Sequence, residues 1–245
     1  MAGAEYVQEC IPERLELKQN LFRELDLITK SNVILASSSS AIPASEFASQ
    51  LKNRERCLIV HPGNPPYLLP IAEVVPAPFT GQEIITRTLD TLRSVGMKPI
   101  LVHSEIEGFV FNRLQGAMLR EAYCLVRDGV VTASDLDRIV TQGLARRWAV
   151  IGPFATSALN VQGGIRAHVA RMGDAYASMG RVRGQDDPWT PDLIEKVSTD
   201  IDQLYPVEKW AENVLRRDQS LLALSQLIKS HPNFYLDQLG NLNQD

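Results

Sequence analysis

Residues 57–75 read Cys57-Leu58-Ile59-Val60-His61-Pro62-Gly63-Asn64-Pro65-Pro66-Tyr67-Leu68-Leu69-Pro70-Ile71-Ala72-Glu73-Val74-Val75. Two short apolar runs, Cys57–His61 and Ile71–Val75, flank a proline-rich loop, which is the pattern of strands buried on both faces. Working upstream, Val33-Ile34-Leu35 within Asn32–Leu35 is a similar run, ended by Ser37-Ser38-Ser39-Ser40. Ala44–Leu51 reads as a short helix between these strands. Glu5–Glu9 is a further short strand, and Pro12 sits where a helix accepts its first residue. From Glu13 to Lys30, Leu15, Leu17, Leu21, Phe22, Leu25 and Ile28 recur at helical spacing. Downstream, Gln82–Val95 reads as helix and Pro99–Val102 as a last strand. Strands alternating with helices imply α/β layering, with parallel pairing wherever a helix makes the crossover.

Strand signals stop after His103. Gly108–Asp128 reads as a long helix with Phe111, Leu114, Met118, Ala122 and Leu125 as its buried stripe. Thr132–Leu144 is a second helix, with Thr132 and Ser134 competing as N-cap. Further helices fit 154–172, 191–204 and 206–229, and Met179–Trp189, rich in Gly, Arg and Asp, reads as a surface loop. The expected organisation is an α/β domain over 1–104 and an all-helical domain over 105–245. Helices 108–128 and 206–229 carry more apolar surface than a small domain covers alone, so a homodimer through the helical part is expected.

A net charge of −4 argues against a nucleic-acid surface. No segment approaches the roughly 18 uninterrupted apolar residues of a membrane span. The first residues lack the basic and apolar stretches of a signal peptide. Cys10, Cys57 and Cys124 have no CxxC spacing, so neither a disulfide framework nor a metal site is expected, and a cytoplasmic location is.

The chemistry-bearing residues gather at strand ends. In open α/β sheets ligands collect outside the carboxyl ends of strands. Ser37–Ser40 ends one strand, His61 with Asn64 ends the next, and Glu73 lies on the strand delivered by the proline loop. An imidazole with an intrinsic pKa near 6.5 suits proton transfer around neutral pH, and a carboxylate beside it fixes its tautomer. His61 alone reads as a satisfied strand-end histidine; with Glu73 and the loop it reads as a base. The apolar neighbours of Glu73 point to burial, where a lone charge is costly. Ser37 to Ser39 read as a turn or helix cap. Asn112 divides evenly between a backbone-bonding role and a functional one. Glu13 and Lys18 read as a solvated helix face.

A dinucleotide-binding fold opens with a strand, a GxGxxG turn and a helix, whose amides approach the pyrophosphate. No such segment is found, and Gly163-Gly164 follows no strand. Either the protein does not bind a nucleotide, or the first strands lie upstream of Met1.

The segments Ser-Ser-Ser-Ser-Ala-Ile (37–42), His-Pro-Gly-Asn-Pro-Pro (61–66) with Glu-Val-Val (73–75), and Gly-Phe-Val-Phe-Asn-Arg-Leu (108–114) together resemble the 3-hydroxyacyl-CoA dehydrogenase family. Within it the chain is most similar to the lambda-crystallin, or L-gulonate 3-dehydrogenase, branch, from Val7-Gln8-Glu9-Cys10-Ile11-Pro12-Glu13 to about residue 170. The resemblance implies a partial, N-terminally incomplete Rossmann-type domain followed by a helical domain that dimerises. It also implies NAD as cofactor, with the glycine fingerprint expected ahead of residue 1. Its roles carry over as His61 the general base, Glu73 its carboxylate partner, Ser40 and Asn112 contacts to the substrate oxygen, and Glu13, Lys18 and Asn64 cofactor-side contacts.

The loop Pro62-Gly63-Asn64-Pro65-Pro66 lacks the bulky aromatics of the acyl-CoA branch and looks closer to the branch acting on small polar acids such as gulonate or carnitine. Arg146-Arg147 stands where the acyl-CoA branch has no matching pair. Arg147, at the branch's corresponding position, could clamp a carboxylate bidentately; a cation at a helix C-terminus is the competing reading. The expected function is NAD-dependent oxidation of the 3-hydroxyl of a small hydroxy acid to a ketone. Two alternatives stand: a 3-hydroxyacyl-CoA dehydrogenase, and a non-catalytic, crystallin-like structural protein or inactive fragment. Without a glycine turn the chain is expected to bind NAD weakly, and its first strand to expose an uncovered edge.

Overall fold

The computed structural model describes residues 3–64, 66, 69–149, 151–182, 191, 195, 202 and 205–230. They form two compact units, Met1–Arg120 and Glu121–Asp245.

The first unit is built on a five-stranded sheet in sequence order: β1 (Tyr6–Glu9), β2 (Ile34–Ser37), β3 (Cys57–Pro62), β4 (Ile71–Pro76) and β5 (Lys98–Leu101). Helix α1 (Leu15–Ile28) connects β1 to β2, α2 (Ala44–Ala48) connects β2 to β3, and α3 (Gln82–Ser94) connects β4 to β5. Each of those crossovers gives a parallel pair, whereas the proline loop turns the chain back, so β3 and β4 are antiparallel. The amino end of β4 therefore lies beside the carboxyl end of β3, and this brings Glu73 to the same end as His61.

Side-chain alternation distributes the strands over two cores. Ile34, Ala36, Leu58, Val60, Ala72 and Val74 pack with Ile84 and Leu92 of α3. Leu35, Cys57, Ile59 and Val75 pack on the opposite face with Phe22 and Leu25 of α1 and Phe47 of α2, the Phe22 and Phe47 rings 4.5 Å apart. Gly63 is required where the loop leaves β3. Its N–H bonds Ile71 O at 2.9 Å, and a Cβ there would meet Ile71 Cγ2 at 2.5 Å.

Two cations in this unit are buried, Lys18 against expectation. Lys18 is 1% exposed rather than on a solvated face; its Nζ meets Glu9 Oε2 at 2.9 Å and Ser37 Oγ at 3.3 Å. Arg56, fully buried, bonds Asp26 Oδ1 at 2.7 Å and Thr29 Oγ1 at 2.9 Å. Burial pushes the Asp26 carboxyl up, but the bonds from Arg56 and Asn53 outweigh it and hold the group below its ordinary range.

Helix α4 (Phe111–Arg127) starts in the first unit and ends in the second. The expected buried stripe on it is not present: the helix has no buried residue, and Leu114 is 63% exposed. An amphipathic pattern shows which face is apolar; what covers that face is a separate matter.

In the second unit the expected helix 132–144 divides into α5 (Ala133–Ile139) and a π-helical turn, Val140–Leu144, followed by α6 (Ala145–Trp148). Thr132 wins the N-cap, accepting from Asp135 N at 3.1 Å. The expected helix 154–172 is two, α7 (Pro153–Leu159) and α8 (Gly164–Val182), because Gly163 and Gly164 take φ of 103° and 69°, outside helical range. Helix α9 (Trp210–Ser230) matches the last expected helix, and Trp210 and Val214 pack on Ile151, Ala155 and Leu159. Met179–Val182 belongs to α8 instead of a loop; the rest of that stretch, and most of the helix expected at 191–204, lies outside the described residues. Among the described residues no helix is long and apolar enough to cross a membrane.

Candidate active site

The antiparallel register sets His61 directly opposite Glu73, so both side chains project from one face of the sheet. Both are buried, at 8% and 5% exposure, and His61 Nδ1 lies 2.8 Å from Glu73 Oε2. A carboxylate only accepts, so the shared proton belongs to Nδ1 of the neutral imidazole. Nε2 then keeps its lone pair, and no described residue engages it.

Glu73 has further partners that sequence reasoning missed. Its Oε1 accepts from the backbone N–H groups of Val110, at 2.8 Å, and Phe111, at 3.0 Å. These are donors left open at the start of α4, where the helix dipole also favours an anion. Phe109 precedes them with φ of 49°, and among the described residues it is the one non-glycine residue at positive φ. Its ring is fully buried and lies 5.7 Å from the imidazole; the Phe111 ring stands edge-on at 6.3 Å. The motif carrying the resemblance, Gly108–Leu114, contains all of these residues, but a carboxylate acceptor for its amides leaves no mark in the sequence.

The serine stretch is ordered by Glu13. One carboxylate oxygen accepts from the amides of Ala41 and Ile42, each at 3.0 Å, and from the Ser39 hydroxyl; the other accepts from Ser40 N at 3.1 Å and Ser40 Oγ at 3.3 Å. Burial pushes this carboxyl up, but the Ser39 hydroxyl and the amides of Ile42, Ser40 and Ala41 outweigh it and bring it down to about 2. Ser40 also uses its carbonyl, which accepts from Asn112 Nδ2 at 3.1 Å. The first turn of α4 thus touches both halves: Phe111 N reaches Glu73, and Asn112 reaches Ser40.

His61, Glu73, Ser40, Asn112 and Glu13 therefore form one connected set. Lys18 stands behind it, tying the ends of β1 and β2 through Glu9 and Ser37, the two partners that sequence reasoning did not find. Asn64 sits on an exposed bend after β3, and its side chain joins none of these bonds. Arg147, half-buried on α6, belongs to the second unit. Among the described residues no cluster of three or more His, Cys, Asp or Glu could hold a metal ion.

The polar set suits the nicotinamide and substrate end of a dinucleotide site: a hydroxyl and a base at the carboxyl ends of the parallel strands β2 and β3, and a carboxylate brought to the same end by the antiparallel β4. The β1–α1 connection, Cys10-Ile11-Pro12-Glu13-Arg14, contains no glycine and does not supply a pyrophosphate turn.

Comparison with known proteins agrees with this arrangement. The family described as 3-hydroxyacyl-CoA dehydrogenase, NAD binding domain, matches residues 1–106, and 3-hydroxyacyl-CoA dehydrogenase, C-terminal domain, matches 108–198. A 3-hydroxyacyl-CoA dehydrogenase of Gibberella moniliformis is 42% identical, covering 91% of this chain and 71% of that protein. The lambda-crystallin homolog of Bos taurus is 40% identical over 92% and 70% of the two chains. L-carnitine dehydrogenase of Oceanobacillus iheyensis is 38% identical over 93% and 74%. With both domains matched in order around one His–Glu site, the chain belongs to the 3-hydroxyacyl-CoA dehydrogenase family, a family of NAD-dependent oxidoreductases.

Proposed function

We propose that this protein oxidises the 3-hydroxyl of a small hydroxy acid, L-gulonate-like, to a ketone, with His61 as the base. The observation that carries this reading is the His61–Glu73 pair, which leaves Nε2 as the proton-accepting atom. NAD, when bound, supplies the hydride acceptor. His61 takes the hydroxyl proton at Nε2, and Glu73 stabilises the imidazolium that forms. The Ser40 hydroxyl and the Asn112 amide hold the substrate oxygen. Glu13 and Asn64 are the cofactor-side groups; Lys18 serves that side indirectly, by holding the strand ends together.

The small-acid reading draws on the absence of an aromatic residue from Pro62-Gly63-Asn64-Pro65-Pro66 after His61, on Arg147 as a carboxylate clamp, and on the likeness to an L-carnitine dehydrogenase. The family's description and the Gibberella relative favour acyl-CoA as the second reading. The helical part, residues 105–245, is the substrate and dimerisation domain; the exposed apolar residues Leu114, Met118, Leu119, Tyr123 and Val126 of α4 support a homodimer. We place the protein in the cytoplasm.

The test is NADH formation with L-gulonate, L-carnitine and a 3-hydroxyacyl-CoA. Turnover of a small acid should fall about 10²–10⁴-fold in His61→Gln. Arg147→Ala should weaken it by an amount equivalent to about 2–5 kcal/mol, the loss of a desolvated charge-assisted pair. Turnover of the acyl-CoA alone would establish the second reading. Turnover of none of the three by a folded, NAD-saturated protein would leave the crystallin-like, non-catalytic reading.

A further inference from the structure

We propose that the Gly108–Phe109 turn is a positioning device for the His61–Glu73 pair: held at positive φ by its buried ring, Phe109 aims two amides of α4 at Glu73 and so fixes the tautomer of His61. The inference rests on the reading of that pair as the proton-transfer site, but its test is spectroscopic and stands apart from turnover.

Positive φ is a conformation that side chains larger than glycine resist, and for an aromatic residue it persists only where the surroundings over-determine it. Phe109 has such surroundings: it is entirely buried in the core that holds Val75, Ala77 and Val102. It follows Gly108, itself at φ of 74°, so two consecutive residues bend the chain sharply ahead of α4. The bend has one evident consequence. It turns the N–H groups of Val110 and Phe111, which an ordinary helix start leaves open, onto Glu73 Oε1 at 2.8 and 3.0 Å.

With Oε1 filled by two donors, the carboxylate is clamped, and Oε2 is presented to His61 Nδ1 at 2.8 Å. A carboxylate free to rotate about its last bond would offer either oxygen at varied angles, and the imidazole could then exchange tautomers. The same Phe109 ring, 5.7 Å from the imidazole, limits the ring's own tilt. Phe109 is therefore a positioning residue acting through Glu73 and ring contact.

The experiment is nuclear magnetic resonance on the full chain, reading the ¹⁵N shifts of His61 and the hydrogen-exchange protection of the Val110 and Phe111 amides. The parent should show His61 protonated on Nδ1 and both amides protected. Phe109→Ala keeps the conformational penalty and loses the anchor; protection at the two amides should fall at least tenfold and His61 should become a tautomer mixture. Phe109→Gly relieves the penalty and should restore part of both signals. Should Phe109→Ala fail to fold, replacing the Phe111 amide by an ester removes one donor with every side chain in place, and the same tautomer change is expected. Loss of amide protection with an unchanged His61 tautomer, or unchanged protection in Phe109→Ala, overturns the proposal. Failure of His61→Gln to reduce turnover would instead overturn the catalytic reading and leave these signals as they are.

Discussion

Glu73 accepts three hydrogen bonds through two oxygens, and Glu13 accepts five through two. Both carboxylates serve as fastening points for backbone as well as side-chain groups. Glu13 makes a pH prediction possible. Its folded-state pKa, lowered to about 2, lies below the roughly 4.3 of an unfolded glutamate, so the carboxylate form is favoured by folding. Its stabilisation is fully present above the unfolded value and is lost as the pH falls through about 2. Urea unfolding from pH 7 to pH 2 should show a gap between the parent and Glu13→Gln that is constant near neutrality and closes in acid. A gap of equal size at pH 2 would show that the charge is not what orders the serine stretch.

At the level of elements, the proline loop decides the site because it reverses the chain, and Gly63 decides whether that loop can close. Its missing side chain lets Ile71 approach and lets Gly63 N–H reach Ile71 O. Gly63→Ala should cost about 1–3 kcal/mol, the range for overpacking a well-filled site. Ile71→Ala removes the atom in the way, so the double variant should be more stable than the sum of the two single changes predicts. Thermal unfolding of the four proteins measures this, and strict additivity would place the strain elsewhere. The helical elements differ in kind. Thr132 caps α5 as its position suggested, whereas the break at Gly163-Gly164 depends on two glycines that read as unremarkable without their φ angles.

For the whole molecule, the exposed apolar face of α4 and the open edge of β1 bear on assembly and cofactor affinity. In the described sheet β1 pairs with β2 alone. Multi-angle light scattering at micromolar concentration should give the mass of a dimer, and Leu114→Lys with Tyr123→Lys should shift it toward the 27.3 kDa monomer. A parent protein that elutes as a monomer would remove the helical face as a self-association surface. Isothermal titration with NAD should show weak binding, because no glycine turn in the described loops cradles the pyrophosphate and Lys18 is engaged by Glu9. Micromolar affinity would mean that the strand-end groups suffice.

The sequence by itself determined the five strands, the helices between them, the pairing of His61 with Glu73 and the family. Local apolar runs and turn residues carry the elements directly, the resemblance of the motifs at 37–42, 61–75 and 108–114 carries the family, and a buried carboxylate among Ile71, Ala72, Val74 and Val75 announces a partner. It did not determine which polar groups the fold would enclose. Lys18 and Arg56 sit on helical or strand-start positions that any solvated cation can occupy, and their partners Glu9 and Asp26 are distant in the chain. Nor did it show that Glu13 organises Ser39 to Ile42, or that the turn at Phe109 clamps Glu73. Those contacts join residues 26 to 38 positions apart. The Glu13 contacts exist only once β1 and β2 have paired, and the Glu73 contacts only once the β3–β4 reversal and the burial of Phe109 have fixed where the α4 amides point, so the tertiary structure decided both.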